Sequence, residues 1–128
     1  ASLLLHFVVE KGLRSYEAED PDLTEALRRI TTVQATAEEY LETCQADSFD
    51  VVYFDPMFRY PVQGSSAMEP LRPVAYEKPL TQRTIELALK AAPKIVIKER
   101  SEKILREYGC TEILGGRYSR IKFGIIRR

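Results

Sequence analysis

Apolar positions recur at helical spacing through the opening segment, at Leu3, Leu4, Phe7, Val8 and Leu13. The spacing predicts a helix of about four turns ending near Glu19, weakened though not broken by Gly12. Asp20-Pro21-Asp22 reads as a turn, and Leu23 to Ile30 as a shorter helix with Asp22 as N-cap and Pro21 just outside. Thr31-Thr32-Val33-Gln34-Ala35 is β-branched and short, the composition of a strand. Ala37 to Glu42 follows as a helix opened by Thr36. Phe49-Asp50-Val51-Val52-Tyr53-Phe54-Asp55 is a near-continuous apolar run closed by an acid, the pattern of a buried parallel strand rather than an alternating surface one.

No period survives from Pro56 to Pro79, where Pro61, Gly64, Pro70 and Pro73 interrupt the chain. A loop longer than about 12–15 residues inside a compact domain is usually functional. Beyond it, Thr81 caps a helix from Gln82 to Ala92 that Pro93 stops, and Lys94 to Lys98 is a second buried strand. Ser101 to Tyr108 is a helix ended by Gly109, and Thr111 to Leu114 a third strand candidate. Gly115-Gly116 turns into Tyr118 to Ile126, where Ser119, Ile121, Phe123 and Ile125 alternate. A turn that tight makes the last strand antiparallel to the one before. Strands alternating with helices argue for an open α/β sheet with parallel central strands and a C-terminal antiparallel hairpin.

Composition narrows the class. A chain of 128 residues, 45% hydrophobic and 30% charged, suits one folded domain rather than a disordered segment. Apolar runs fall short of the ~20 residues a bilayer crossing needs, and no basic, cleavable leader opens the chain, so a cytoplasmic protein without a membrane span is expected. Cys44 and Cys110 stand far apart, which supports neither a zinc site nor a disulfide framework; both are expected to be reduced and structural. The net charge of zero hides a polarity: residues 1–50 carry 4 Lys/Arg against 11 Asp/Glu, the remainder 15 against 8. A basic half can contact a polyanion such as RNA, and a solvated charged face is the alternative.

In an open α/β sheet the ligand lies outside the carboxyl ends of the strands. Those ends carry Gln34-Ala35-Thr36, Asp55-Pro56-Met57-Phe58 and Lys98-Glu99-Arg100. The second is the informative one: a carboxylate, a carbonyl fixed by a proline ring and a flat aromatic face fall within four residues. Such a set suits a planar base with an exocyclic amine, offering acceptors for its N–H groups and a ring for stacking. His6 lies in an apolar helical stretch and reads as packing rather than a ligand.

Asp55-Pro56-Met57-Phe58 is similar to the D/N-P-P-F/Y motif of class I S-adenosylmethionine-dependent amino-methyltransferases. The DPMF spelling most resembles the small-subunit ribosomal RNA guanine-N2 methyltransferases. Lys94 to Glu99 and Arg117 to Gly124 sit where that group has a V-V-K strand and a closing hydrophobic hairpin. The resemblance covers essentially the whole chain and matches it to the C-terminal portion of a single Rossmann-like methyltransferase domain. It implies S-adenosyl-L-methionine as cofactor and an exocyclic amine of a nucleic-acid base, guanine in ribosomal RNA above all, as methyl acceptor. On that resemblance Asp55 and the Pro56 carbonyl accept hydrogen bonds from the target amine and Phe58 stacks on a flipped or unpaired base. Gln34 and Ala35 fall where the group contacts the adenine ring, with Asp55 also facing the cofactor. Arg59, Arg72, Lys98 and Arg100 are candidates for phosphate contacts. No metal is implied.

The sequence departs from that group in one respect: no G-x-G loop and no following acid for the ribose occur in it, and Gly115-Gly116 leads into no helix. The expectation is therefore a partial fold whose first strands are missing, inactive by itself, with open apolar edges that predict a homodimer or poor solubility. The alternative function is a non-catalytic Rossmann-like domain that binds RNA or a protein partner through its basic half.

Overall fold

The computed structural model describes residues 2–56 and 80–128. The described residues group into two compact units, residues 2–36 and residues 37–56 with 80–128.

The first unit holds two helices. α1 (Leu3–Ser15) is N-capped by Ser2, whose hydroxyl accepts from the Leu5 amide. It is shorter than its apolar period suggested, because Tyr16 turns extended. α2 (Pro21–Arg28) starts two residues earlier than expected. Asp20, not Asp22, is the N-cap, accepting from the Asp22 amide, and Pro21 occupies the first turn, where a missing N–H costs nothing. Arg28 ties α2 back to α1 by donating to the carbonyls of Leu13 and Tyr16. The strand expected over Thr31–Ala35 is not formed. β-branched residues favour extended backbone, but a strand also needs a ladder partner, and this segment has none among the described residues.

The second unit is built on a four-stranded sheet. Its elements are α3 (Ala37–Thr43), β1 (Val52–Phe54), α4 (Gln82–Ala91), β2 (Lys94–Glu99), α5 (Glu102–Glu107), β3 (Glu112–Leu114) and β4 (Lys122–Arg127). The order is β1-β2-β4-β3: β1 and β2 run parallel, and β4 is antiparallel to both its neighbours. The expected set of parallel central strands thus reduces, among the described residues, to one parallel pair. The closing hairpin is present, but β4 begins at Lys122 rather than Tyr118, which is 92% exposed. Its strand does not simply flank β3; it inserts between β3 and β2.

The core of this unit gathers Leu41, Phe54, Ile85, Ala88, Ala91, Ile95, Ile97, Leu105, Cys110 and Ile126. α4 buries Thr84, Ile85, Ala88 and Ala91, the stripe its 3.6-residue period dictates, while Leu87 and Leu89 are only half-buried at its margin. α5 ends in a Schellman motif. The Cys110 amide donates to the Leu105 carbonyl and the Gly109 amide to Arg106, with Gly109 at φ +91°. β2 buries Ile95, Ile97 and Glu99 on one face.

α3 and α4 are linked through two acids, Glu42 by its pair with Arg83 and Glu38 by hydroxyls. Glu38 Oε1 accepts from the hydroxyl of Thr84 at 2.8 Å and from that of Thr81, the residue whose own oxygen caps α4 through the Thr84 amide at 3.1 Å. Replacing Thr81 by alanine removes the cap and its hydroxyl link to Glu38 together. It is expected to lower unfolding free energy by about 1–2 kcal/mol, read as a lower urea midpoint with an unchanged slope; an unchanged midpoint would show that the cap is dispensable.

Candidate active site at the carboxyl ends of the parallel pair

The register of the parallel strands sets Phe54 opposite Ile97. One step further along both strands brings Asp55 beside Lys98, and Lys98 Nζ donates to Asp55 Oδ2 at 3.1 Å. Side chains alternate across a strand, so Phe54 and Ile97 point to the core while the next residue of each strand meets on the other face. The Asp55 side chain is 48% exposed and that of Lys98 26%. A pair this open contributes at most about 1 kcal/mol to stability, so its consequence lies in where the carboxylate points. Pro56 restricts the backbone of Asp55 to extended conformations, which carries the chain straight out of β1 and leaves the carboxylate at the sheet's end.

Glu99, which the sequence reading left without a role, is the one buried carboxylate among the described residues, at 6% exposure. Its Oε1 accepts from the amides of Arg100 at 2.6 Å and Ser101 at 3.4 Å, and Ser101 in turn caps α5 through the Ile104 amide. The acid is paired with backbone donors, as a buried charge must be, and it fixes the turn that follows Lys98 and carries Arg100. The signal was there to be read: the period of two that buries Ile95 and Ile97 also buries Glu99.

Asp55 and Lys98 are brought together, with Pro56 next along the chain and Arg100 at the turn between β2 and α5. Phe58, Arg59 and Arg72 lie outside the described residues. Gln34 belongs to the first unit, where it lines a cavity of about 340 Å³ with His6, Val9, Thr32 and Val33. Ala35 follows it at a bend. His6, half-buried, lines the same cavity, and its Nε2 stands 3.6 Å from a Glu10 carboxylate oxygen. A cavity of this size is at the lower end of the about 300–1,000 Å³ usual for small-molecule sites. Burial pushes the Cys110 thiol up from its ordinary value, which keeps it protonated and unreactive. Among the described residues no helix is long and apolar enough to cross a membrane.

No family model matches the chain, and no solved structure matches it. Two curated proteins are similar to it. One is the uncharacterized protein YpiP of Bacillus subtilis (strain 168), 37% identical over 94 residues, which are 73% of this chain and 37% of that protein. The other is the ribosomal RNA small subunit methyltransferase J of Magnetococcus marinus, 34% identical over 103 residues, 78% of this chain and 40% of that protein. The chain therefore spans about two fifths of the length of the curated relatives it matches.

Proposed function

We propose that the chain is the C-terminal portion of a single S-adenosylmethionine-dependent methyltransferase domain that modifies an exocyclic amine of a base, guanine in small-subunit ribosomal RNA. The observation that supports this most is Asp55-Pro56 at the carboxyl end of a parallel strand, with a carboxylate held by Lys98. The similarity to the ribosomal RNA methyltransferase of Magnetococcus marinus supports the same reading.

Gln34 and Ala35 are the residues that would hold the adenine ring of the cofactor, and Gln34 lines a cavity large enough for such a ring. When bound, S-adenosylmethionine would supply a methyl group on a positively charged sulfur, whose leaving as a neutral thioether balances the bond that the amine's lone pair would make. Asp55 and the Pro56 carbonyl accept the amine's N–H groups and thereby aim its lone pair. The surplus amine proton leaves along the Asp55 hydrogen bond to water. Alignment of this kind is the protein's main contribution to an in-line displacement. Phe58 supplies the stacking surface, and Arg59, Arg72 and Arg100 meet phosphates of the RNA.

Incubation of the full-length protein with methyl-labelled S-adenosylmethionine and total RNA is expected to label small-subunit ribosomal RNA at the N2 of a guanine. RNA binding without cofactor binding by calorimetry would sink the reading in favour of a non-catalytic RNA-binding domain.

A further inference from the structure

We infer that Lys98 is a positioning residue that acts through Asp55, an inference that rests on the methyl-transfer reading above. The parallel register makes these two residues neighbours at the end of their strands, and the ammonium takes one oxygen of the carboxylate, Oδ2, at 3.1 Å. Oδ1 makes no hydrogen bond among the described residues and is the oxygen available to an amine N–H. The backbone of Asp55 is restricted by Pro56, but nothing in the backbone fixes rotation about its two side-chain bonds. Without a partner the carboxylate would sample several rotamers, and each wrong one turns the acceptor away from the amine. The cation removes that freedom, and it sorts the two oxygens into one that is held and one that works.

The neighbouring residue keeps the holder in place. Glu99 is anchored inward on the amides of Arg100 and Ser101, so β2 runs straight to its last residue and Lys98 is directed to the opposite face. The pair is too exposed to count for stability, whereas displacement of a reacting group by about 1 Å can cost on the order of 100-fold in rate. A cation spent on Asp55 serves orientation, in contrast to a phosphate contact, which would serve affinity.

The two roles separate in the kinetics of the full-length protein. Lys98→Met keeps the length of the stem and removes the charge. It is expected to lower kcat about 10- to 30-fold, with KM for RNA and for S-adenosylmethionine within about twofold of wild type. Lys98→Arg, which restores a cation at that reach, is expected to recover most of the rate. In an Asp55→Ala background Lys98→Met is expected to add no more than about a twofold loss, because a residue acting through another has nothing left to act through. A raised KM for RNA with kcat unchanged, together with a salt dependence of RNA binding shallower by about one ion, would make Lys98 a phosphate contact and overturn the inference. Multiplying effects in the double variant would also overturn it. If Lys98→Met fails to fold, Lys98→Gln beside Lys98→Arg provides the same comparison. A wild-type protein that transfers no methyl group removes the methyltransferase reading itself, an outcome distinct from an active wild type with an equally active Lys98→Met.

Discussion

Replacing Asp55 by alanine is expected to abolish most methyl transfer, by a factor of about 10²–10³ in kcat, the loss seen when a single preorganised hydrogen-bonding group at a reacting centre is removed. On the proposed reaction, Asp55 would accept a hydrogen bond from the amine that must lose a proton as the new bond forms. Such a hydrogen bond would strengthen in the transition state, so the loss is expected in kcat rather than in KM. Asn at the same position keeps the shape and one carbonyl acceptor, which the D/N alternation of the resembling motif also uses. Asp55→Asn is accordingly expected to lose only about tenfold. Stability is expected to be unaffected in both variants, because the Asp55–Lys98 pair is exposed and contributes at most about 1 kcal/mol. Initial rates on ribosomal RNA, measured beside urea midpoints, separate the two effects. An Asp55→Ala protein as active as wild type would leave the motif a turn and nothing more.

The largest structural effect is expected at Gly124. It sits in the middle of β4, paired with Ile97 of β2 on one side and Ile113 of β3 on the other. A Cβ there would lie 2.5 Å from Cys110 Sγ, 2.7 Å from Leu105 Cδ2 and 3.0 Å from Cys110 Cβ. Both neighbours are buried, and Cys110 is further held by its amide on the Leu105 carbonyl in the turn that ends α5. The extra methyl has no open space to enter, so either β4 leaves its register or α5 moves off the sheet. Gly124→Ala is expected to cost about 2–3 kcal/mol. Cys110→Ala in the same chain removes the closest clashing atom, and the double variant is expected to recover part of that loss, a non-additivity that contact between the two sites requires. A Gly124→Ala midpoint equal to wild type in urea would show that the α5 turn yields without cost.

Much of this could be read from residue order, for local reasons. The helices α4 and α5, the cap at Thr81 and the stop at Gly109 all depend on groups within a few residues of each other. The run ending at Lys98-Glu99 buries every second residue, Ile95, Ile97 and Glu99, whereas the run into Asp55, expected to be buried throughout, fully buries only Phe54 and leaves Phe49, Val51 and Tyr53 exposed, because β1 lies at the edge of the described sheet. Asp55 and Pro56 could be singled out, since the acid, the proline and the strand's end are adjacent in the chain. Where local preferences competed, the reading slipped: Asp20 and Asp22 are both good caps, and only the position of Pro21 in the first turn decides for Asp20.

Tertiary structure decided what depends on distant partners. Thr31–Ala35 has strand composition, but composition supplies no ladder, and none forms among the described residues. β4 could be expected to run against β3, yet its insertion between β3 and β2 depends on Gly124 allowing Cys110 and Leu105 to close over it. In the sequence Lys98 shows only its charge; the register between strands more than 40 residues apart gives it Asp55 as partner. By itself the sequence determined the five helices, the cap at Thr81 and the acid at the strand's end, since those follow from contacts along the chain. Strand order, register and the pairing of Asp55 with Lys98 were left to the fold, because they are set by which distant surfaces bury each other best.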